Sequence, residues 1–308
     1  MFPSHVLSLL APGQGSQTPG MLTEWLELPG ARDRVAAWSD AVGLDLARLG
    51  TTATAEEITD TAVTQPLVVA AALLSFDALT SKHGELPADT VIAGHSIGEV
   101  AAAAIAGVLS ADEAMVLAGI RGAEMAKACA LEETTMAAIL GGDEAEVLTR
   151  LDDLDLVPAN RNAKGQIVAA GSVVAIEKLI ADPPAKARIR KLAVAGAFHT
   201  RYMAPAQDAV AAAAATMSPA DPNRTLLSNA DGKPVTSGAE VLGRLVTQVT
   251  SPVRWDLCSE TLRDAGTDAI VELAPGGTLV GIAKRELKGV PSRAVKVPAD
   301  LEDLPGLG

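Results

Sequence analysis

Aromatic residues, cysteines and net positive charge are all scarce in this sequence. Only 2% of its 308 residues are Phe, Trp or Tyr, so the core must be built from small and aliphatic side chains. The two cysteines, Cys129 and Cys258, are too few for a disulfide framework, and no cysteine-based metal cluster is indicated. The formal net charge of -13 argues against a nucleic-acid ligand, because phosphate binding needs a basic face.

Long apolar runs are scarce as well. Residues 1–10 have no basic region before their short apolar stretch, and the apolar run at 66–74 is bounded by Gln65 and Asp77. A signal peptide needs a basic region and a membrane span needs a longer apolar run. We therefore expect a cytoplasmic protein that makes no contact with a membrane, in a compartment whose reducing conditions suit free cysteines.

Residues 91–108 carry the most informative pattern in the chain. An apolar run stops at Gly94 and an Ala-rich stretch follows from Glu99, which predicts a strand, a tight turn and a helix. The turn, Gly94-His-Ser-Ile-Gly98, has the GxSxG pattern that is typical of a nucleophile elbow. Ser96 is therefore the candidate nucleophile, and the N-terminus of the next helix would stabilise an oxyanion formed there.

A nucleophilic serine needs a base within hydrogen-bond reach, and histidine is the usual choice. Of the four histidines, His5 lies in a predicted strand and His83 at a helix end, where structural or solvated roles are expected. His95 adjoins the serine but points elsewhere across an elbow, so it is the second candidate. His199 is the leading candidate, and the group that orients its ring is left open between Asp231 and a main-chain carbonyl.

Two further polar residues lie where chemistry is expected. Gln14 follows the first predicted strand, and open α/β folds place ligand sites in such loops. It either donates to the site of Ser96 or lies in a plain Gly-rich turn. Arg121 lies on the helix that begins with the Ser110–Glu113 capping box. It is either exposed or ion-paired, or it binds a substrate carboxylate with two hydrogen bonds.

The order of predicted elements indicates an α/β protein. Residues 134–194 follow the order strand, helix, strand, strand, helix, strand, which is that of the ferredoxin-like unit. We expect this unit to form a small domain at 133–196, inserted into a large α/β domain made of residues 1–132 and 197–308. Local patterns add three details: Thr64 caps a long helix, residues 162–165 form a hairpin turn, and the tail from Ala299 is frayed.

Five motifs spread over most of the chain can be read together. They are, in chain order, Pro12-Gly-Gln-Gly-Ser-Gln17, Gly94-His-Ser-Ile-Gly-Glu99, Arg121-Gly-Ala-Glu-Met125, Gly196-Ala-Phe-His199 and Pro275-Gly-Gly-Thr-Leu279. In content and order they resemble the malonyl-CoA:acyl carrier protein transacylases of fatty acid synthesis. The resemblance implies an α/β-hydrolase-like large domain, with a parallel sheet, and a ferredoxin-like insert.

The resemblance also implies a ping-pong reaction with two substrates. Ser96 would attack the thioester of malonyl-CoA, CoA would leave, and the phosphopantetheine thiol of acyl carrier protein would take the malonyl group. His199 would act as general base and acid. The main chain of Ile97 and Gln14 would hold the oxyanion. No cofactor and no metal are implied, because the CoA thioester is itself a substrate.

Further residues are assigned to the substrate or to the base by the same resemblance. Arg121 would pair with the free malonyl carboxylate, and Phe198 is the form associated with malonyl rather than methylmalonyl groups. The main-chain carbonyl of Gln248 would orient His199. The other residues that the resemblance places in the cleft are Met125, Asn160, Asn162 and Gln166.

Three alternatives to a fatty acid transacylase stay open at this point. A stand-alone polyketide-type acyltransferase would share every motif, although a chain of 308 residues with no other domain favours the fatty acid enzyme. A serine esterase or thioesterase would pass the acyl group to water, but Arg121 and the missing acidic triad residue argue against it. A carrier-binding scaffold with a dead site is the non-enzymatic alternative, and the presence of Ser96 with a candidate base argues against it.

An acidic carrier protein would have to approach this acidic chain through a local basic patch. Two clusters could provide that patch, and each could equally be a solvated face. The first cluster consists of Lys186, Arg188, Arg190 and Lys191, and the second of Lys284, Arg285 and Lys288.

Overall fold

Two β-sheets organise the chain. The structure is a computed structural model and describes residues 5–194 and 196–307. The strands in these residues are β1 (Val6–Ala11), β2 (Val91–Gly94), β3 (Thr134–Gly141), β4 (Val157–Ala163), β5 (Gln166–Ser172), β6 (Ala187–Lys191), β7 (Thr225–Leu227), β8 (Pro234–Val235), β9 (Thr267–Glu272) and β10 (Ser292–Ala294). The α-helices are α1 (Ala31–Val42), α2 (Leu46–Thr51), α3 (Thr61–His83), α4 (Gly98–Ile105), α5 (Ala111–Cys129), α6 (Glu144–Asp153), α7 (Val173–Ala181), α8 (Ala204–Ala214), α9 (Gly238–Gln248), α10 (Trp255–Asp264) and α11 (Thr278–Glu286).

The first sheet has the strand order β10-β9-β1-β2-β7-β8, and all its neighbouring strands are parallel except β7 and β8. Its central strands are apolar except for Ser8 of β1, as expected of strands covered by helices on both faces. The carboxyl ends of β9, β1 and β2 meet at one edge of this sheet. The loop after β1 and the turn after β2 touch there, since the N–H of His95 donates to the carbonyl of Ala11 at 3.1 Å.

The second sheet is antiparallel, with the strand order β4-β5-β3-β6. Its elements follow the order β3-α6-β4-β5-α7-β6, and α6 and α7 enclose an aliphatic core of their own against it. The predicted α/β class with a ferredoxin-like unit is therefore confirmed. The domain boundaries expected at 133 and 196 stay a prediction.

Helix α3 begins three residues earlier than the pattern indicated. The carboxylate of Asp60 accepts from the N–H of Ala62 at 2.9 Å, so Asp60 is the N-cap. The expectation for Thr64 was wrong: it lies inside the helix and its hydroxyl donates to the main-chain oxygen of Ile58. By length and composition α3 could cross a membrane, but most of its apolar part is buried in the protein core.

Of two other local expectations, the hairpin between β4 and β5 is confirmed with a shorter turn, whereas the frayed tail is wrong. Strand β4 continues to Ala163, so the hairpin turn is the pair Lys164–Gly165, with Gly165 at φ 71°. Asn162 therefore belongs to a strand. The tail is not frayed, because Leu301 and Leu304 are buried and His83 Nε2 lies 2.8 Å from the main-chain oxygen of Leu301. Packing of these leucines holds the tail against the protein, because their burial removes apolar surface from water.

Candidate active site

The turn between β2 and α4 holds Ser96 in a strained conformation, with φ 54° in the left-handed region. Close packing of backbone on either side makes this turn possible. A Cβ atom at Gly94 would lie 2.1 Å from the main chain of Gly98, and one at Gly98 would lie 2.3 Å from the carbonyl oxygen of Ala11. Only glycine fits at either position, which is the physical reason for the two glycines of the GxSxG pattern.

Asn229, in the loop after β7, ties this turn together. Its side-chain oxygen accepts from the N–H of Ser96 at 2.8 Å, and its side-chain nitrogen donates to the carbonyl of Gly94 at 2.7 Å. Its own N–H donates to Glu99 at 2.8 Å. The sequence pattern assigned Asn229 only to a turn, because a long-range hydrogen bond leaves no mark on local spacing.

His199 lies against the serine. Its Nε2 is 2.7 Å from Ser96 Oγ and its Nδ1 is 2.9 Å from the main-chain oxygen of Gln248. A carbonyl only accepts, so Nδ1 carries the proton and Nε2 accepts from the serine hydroxyl. Burial, and then the charge of Arg121, lower the pKa of His199 to about 3, which keeps the ring neutral and able to accept a proton.

The other two candidates do not take these roles: His95 is not the base of Ser96, and Asp231 does not orient His199. His95 Nε2 lies 2.8 Å from Asn162 Oδ1, and its ring packs against Trp255 with 5.5 Å between centroids. The carboxylate of Asp231 accepts from Arg244 at 2.9 Å, so it does not orient the histidine. A main-chain carbonyl occupies that position instead.

Arg121, on α5, is buried with only 2% of its surface exposed. Its guanidinium donates to Gln65 Oε1 at 2.6 Å and to Gln248 Oε1 at 2.8 Å, and one nitrogen lies 3.5 Å from Ser96 Oγ. Across residues 5–194 and 196–307, no carboxylate lies within 4.0 Å of it, and its Nε has no hydrogen-bond partner. The interpretation as an exposed or ion-paired arginine is therefore wrong.

The charge of Arg121 survives its burial. Burial lowers its pKa to about 10, which still leaves the guanidinium protonated near neutral pH. A buried cation that has only amide oxygens as partners is costly. The arrangement is therefore able to attract an anionic group to within reach of the serine.

A cavity of about 270 Å³ opens at these residues. Nine of the eleven residues that the resemblance assigned to the site line it, and the second candidate base, His95, lines it as well; the nine are Gln14, Ser96, Arg121, Met125, Asn160, Asn162, Gln166, Phe198 and His199. Residues of β3, β5 and α11 complete its walls, so the cavity lies between the two sheets. A larger groove of about 1090 Å³, beside Cys129, contains neither the serine nor the histidine.

Ile97 and Gln248, also named from the sequence, do not line the cavity. Ile97 is fully buried, and Gln248 lies behind His199 and Arg121. In the part of the chain that the structure covers, the main-chain N–H groups of Ile97 and Gln14 have no hydrogen-bond acceptor. Both donors are therefore available to a ligand.

Sequence reasoning missed two residues besides Asn229. Gln65 fell inside a helix that was assigned only to the core, yet it contacts both Arg121 and, at 3.5 Å, the sulfur of Met125. Glu99 belongs to the quoted motif but received no role. Within the described ranges, no group of three or more His, Cys, Asp or Glu side chains is arranged to hold a metal ion.

Comparison with known proteins identifies the class that this fold and site define. Residues 9–301 match the family model described as the acyl transferase domain, so the chain belongs to the acyl transferase family. The chain is similar to the malonyl CoA-acyl carrier protein transacylase of Mycobacterium tuberculosis, with 66% identity over 98% of this chain and the whole of that protein.

Solved structures agree with this assignment. The crystal structure of MCAT from Mycobacterium tuberculosis has a TM-score of 0.94 and 66% identity, covering 97% of this chain and 99% of that one. A type II PKS acyl-carrier protein in complex with its malonyl-transacylase has a TM-score of 0.88 and 31% identity, covering 97% of this chain and 98% of that one. The resemblance inferred from the five motifs is thereby confirmed, and with it the prediction of an acyltransferase enzyme.

Proposed function

We propose that this enzyme moves a malonyl group from malonyl-CoA to the phosphopantetheine thiol of acyl carrier protein through an acyl-serine intermediate. In the first half-reaction His199 Nε2 takes the proton of Ser96 Oγ while Oγ bonds to the thioester carbonyl carbon. The carbon–sulfur bond then breaks, and the CoA sulfur receives that proton. The second half-reaction runs the same steps in reverse, with the carrier thiol as nucleophile.

The carbonyl oxygen becomes negative in each tetrahedral intermediate and needs donors. The N–H of Ser96 is held by Asn229, so it does not serve. We assign this role to the main-chain N–H groups of Ile97 and Gln14. The carbonyl of Gln248 keeps His199 in the tautomer that the reaction requires, which replaces the acidic residue of a serine hydrolase triad.

The single observation that carries the proposal is the buried, carboxylate-free guanidinium of Arg121, 3.5 Å from Ser96 Oγ. It can pair with the free carboxylate of a malonyl group while the thioester carbon lies at the serine. Phe198, Met125, Asn160, Asn162 and Gln166 form the walls of the small cavity around such a group. A simple thioesterase has no need of a buried cation, so the observation favours a carboxylated acyl group. We also propose that the reaction takes place in the cytoplasm.

Labelled malonyl-CoA tests the proposal directly. The wild-type protein should gain one stable acyl adduct by intact mass, and Ser96→Ala should gain none. Arg121→Ala should lower malonyl loading by tens to thousands of fold, because a buried charge pair is worth about 2 to 5 kcal/mol, and should lower acetyl loading much less. Arg150→Ala, which removes a surface pair with Asp182, is the matched control. Equal losses for both acyl groups would refute the role of Arg121.

The carrier is proposed to dock at the second basic cluster, Lys284, Arg285 and Lys288. This cluster is exposed at the end of α11, the helix whose Thr278, Leu279 and Ile282 line the cavity, and Arg285 donates to Gln166 there. Three residues of the first cluster, Arg188, Arg190 and Lys191, lie on the edge strand β6, and Lys186 directly precedes it. Arg285 contacts a residue of the cavity wall directly, so we place the dock at the second cluster.

Charge reversal separates the two clusters. Lys284→Glu with Lys288→Glu should raise the KM for the carrier about three- to tenfold at low salt, because rim charges act mainly on association, and added salt should reduce the effect. Arg188→Glu with Arg190→Glu is the matched control, with the same change in net charge. A larger effect from Arg188→Glu with Arg190→Glu would place the dock at the first cluster, on β6.

A further inference from the structure

The side-chain amide of Gln248 lies between two buried charged residues. Its Oε1 accepts from Arg121 Nη2 at 2.8 Å. Its Nε2 donates to the carboxylate of Glu99 and, at 3.1 Å, to the main-chain oxygen of Ser96. The main-chain oxygen of Gln248 also accepts from His199, so this one residue contacts Ser96, Arg121 and His199.

The two ends of this amide cannot exchange places. A guanidinium has only donors and an ionised carboxylate has only acceptors, so the oxygen must face Arg121 and the nitrogen must face Glu99. The carboxylate thus determines which atom Gln248 presents to the arginine. Without that oxygen, Arg121 would keep Gln65 as its one close acceptor and would be free to turn about it.

Glu99 is itself held rigidly. Only 7% of its surface is exposed, and its second carboxylate oxygen accepts from the N–H of Asn229 at 2.8 Å. Burial raises its pKa to about 7, and the Asn229 N–H, the Gln248 amide and the charges of Arg121 and Arg244 all act in the opposite direction. With a pKa of about 7, the carboxylate is mostly ionised above neutral pH, and this is the form that the amide orientation requires.

We propose that Glu99 is a positioning residue: through the Gln248 amide it aims Arg121 at the acyl carboxylate and so selects malonyl over uncharged acyl groups. The inference rests on the proposed pairing of Arg121 with that carboxylate. Glu99 touches no substrate in this scheme and acts only through the amide.

The variant Glu99→Gln should reverse this arrangement. The N–H of Asn229 needs an acceptor, so the new amide would point its oxygen there and its nitrogen at Gln248. Gln248 would then have to offer its oxygen to residue 99 and its nitrogen to Arg121, where two donors would face each other. The change removes no bulk, so an effect on selectivity would arise from the direction of the hydrogen bonds.

The experiment measures kcat/KM for loading from malonyl-CoA and from acetyl-CoA. We expect Glu99→Gln to lower the malonyl-to-acetyl ratio by about tenfold or more, the scale of one hydrogen bond to a charged group. The double variant Glu99→Gln with Gln248→Glu returns an acceptor to Arg121 and should recover part of the ratio. A ratio that stays at the wild-type value in Glu99→Gln would overturn the inference.

Two controls separate folding and the proposed function from this inference. Glu272→Gln changes another buried carboxylate, one that is fully buried, and should leave the malonyl-to-acetyl ratio unchanged. If Glu99→Gln does not fold, Gln248→Met removes the same link but keeps the carbonyl for His199; it too should lower the ratio, and an unchanged ratio would overturn the inference. If Arg121→Ala lowers the ratio but Glu99→Gln and Gln248→Met do not, only the inference about Glu99 fails. If Arg121→Ala leaves the ratio unchanged, both the inference and the proposed function fail.

Discussion

Two strand-to-helix junctions of the parallel sheet place a buried glutamate beside a glycine-containing turn. At the junction of β9 and α11, Glu272 is fully buried and accepts from the N–H groups of Gly277, Leu279 and Val280, at 2.8, 3.1 and 2.8 Å. At the junction of β2 and α4, Glu99 accepts from one main-chain N–H and from the amide of Gln248.

The difference lies in what satisfies each carboxylate. Glu272 is bonded by main-chain groups of its own junction, so its charge stabilises the start of α11 and reaches no further. Glu99 is bonded by residues from two distant segments, and through them it is connected to the serine, the histidine and the arginine. A buried carboxylate is therefore a local cap at one junction and a link between elements at the other.

The largest expected effect is steric and separates the two turns. Gly94→Ala would place a Cβ 2.1 Å from backbone atoms of Gly98, whereas Gly276→Ala would place one no closer than 2.9 Å to any neighbour. We expect a loss of at least about 3 kcal/mol in the free energy of unfolding for the first change and about 1 to 2 kcal/mol for the second. Urea unfolding measures both, and equal losses would contradict the tighter packing of the first turn.

The two glutamates should also respond to pH, with an effect of intermediate size. Burial raises the pKa of each, to about 7 for Glu99 from an ordinary 4.5, so the folded state holds the proton more tightly than the unfolded state. Stability from such a group is complete below 4.5 and is lost as the pH rises through about 7.

Relative to Glu99→Gln, the wild-type protein should therefore lose up to about 3 kcal/mol of unfolding free energy between about pH 4 and pH 8. Relative to Glu272→Gln, the wild-type protein should also lose unfolding free energy over this pH range. Urea unfolding at both pH values measures it. A wild-type-to-variant difference that does not vary with pH would show that burial leaves the pKa of Glu99 at its ordinary value.

The smallest expected effect concerns His199, at the β2 junction alone. Its lowered pKa, about 3 against an ordinary 6.5, predicts that acetyl loading, which needs neither Arg121 nor Glu99, stays nearly constant as the pH falls from 6.5 towards 5, because the ring remains neutral. Stability from this group is present above 6.5 and is lost as the pH falls through about 3, a loss that His199→Gln should not show. A loading rate that halves near 6.5 would contradict the strong desolvation of the ring.

Much of the architecture was predictable from residue patterns. The GxSxG turn, the capping box at Ser110 and the order of the ferredoxin-like elements each depend on neighbours within a few residues, and the structure contains all three. The expectations that failed involve competition between local and distant partners. Asp60, rather than Thr64, is the N-cap of α3. The tail after Ala299 is ordered because its leucines pack on a distant helix.

In the site, too, residues with a local sequence signal were predictable, and residues that act through distant partners were not. Ser96, Arg121 and His199 were found because their types and motifs are unusual, whereas Gln65, Asn229 and Glu99 act through hydrogen bonds to segments far away in the chain. Asp231 was a reasonable candidate for orienting the histidine until the fold paired it with Arg244. A carbonyl oxygen took its place, and every residue carries a carbonyl, so composition holds no signal for that choice.

By itself, the sequence determined the α/β class, the elbow and the three residues that carry the proposed chemistry, because each depends on residue type and short-range spacing. Tertiary structure decided which partners surround them. It removed water and carboxylates from Arg121, left His199 neutral, and joined Glu99 to both through a single residue, Gln248. Desolvation and hydrogen-bond direction depend on what packs against a group, and packing is settled only when distant segments of the chain meet.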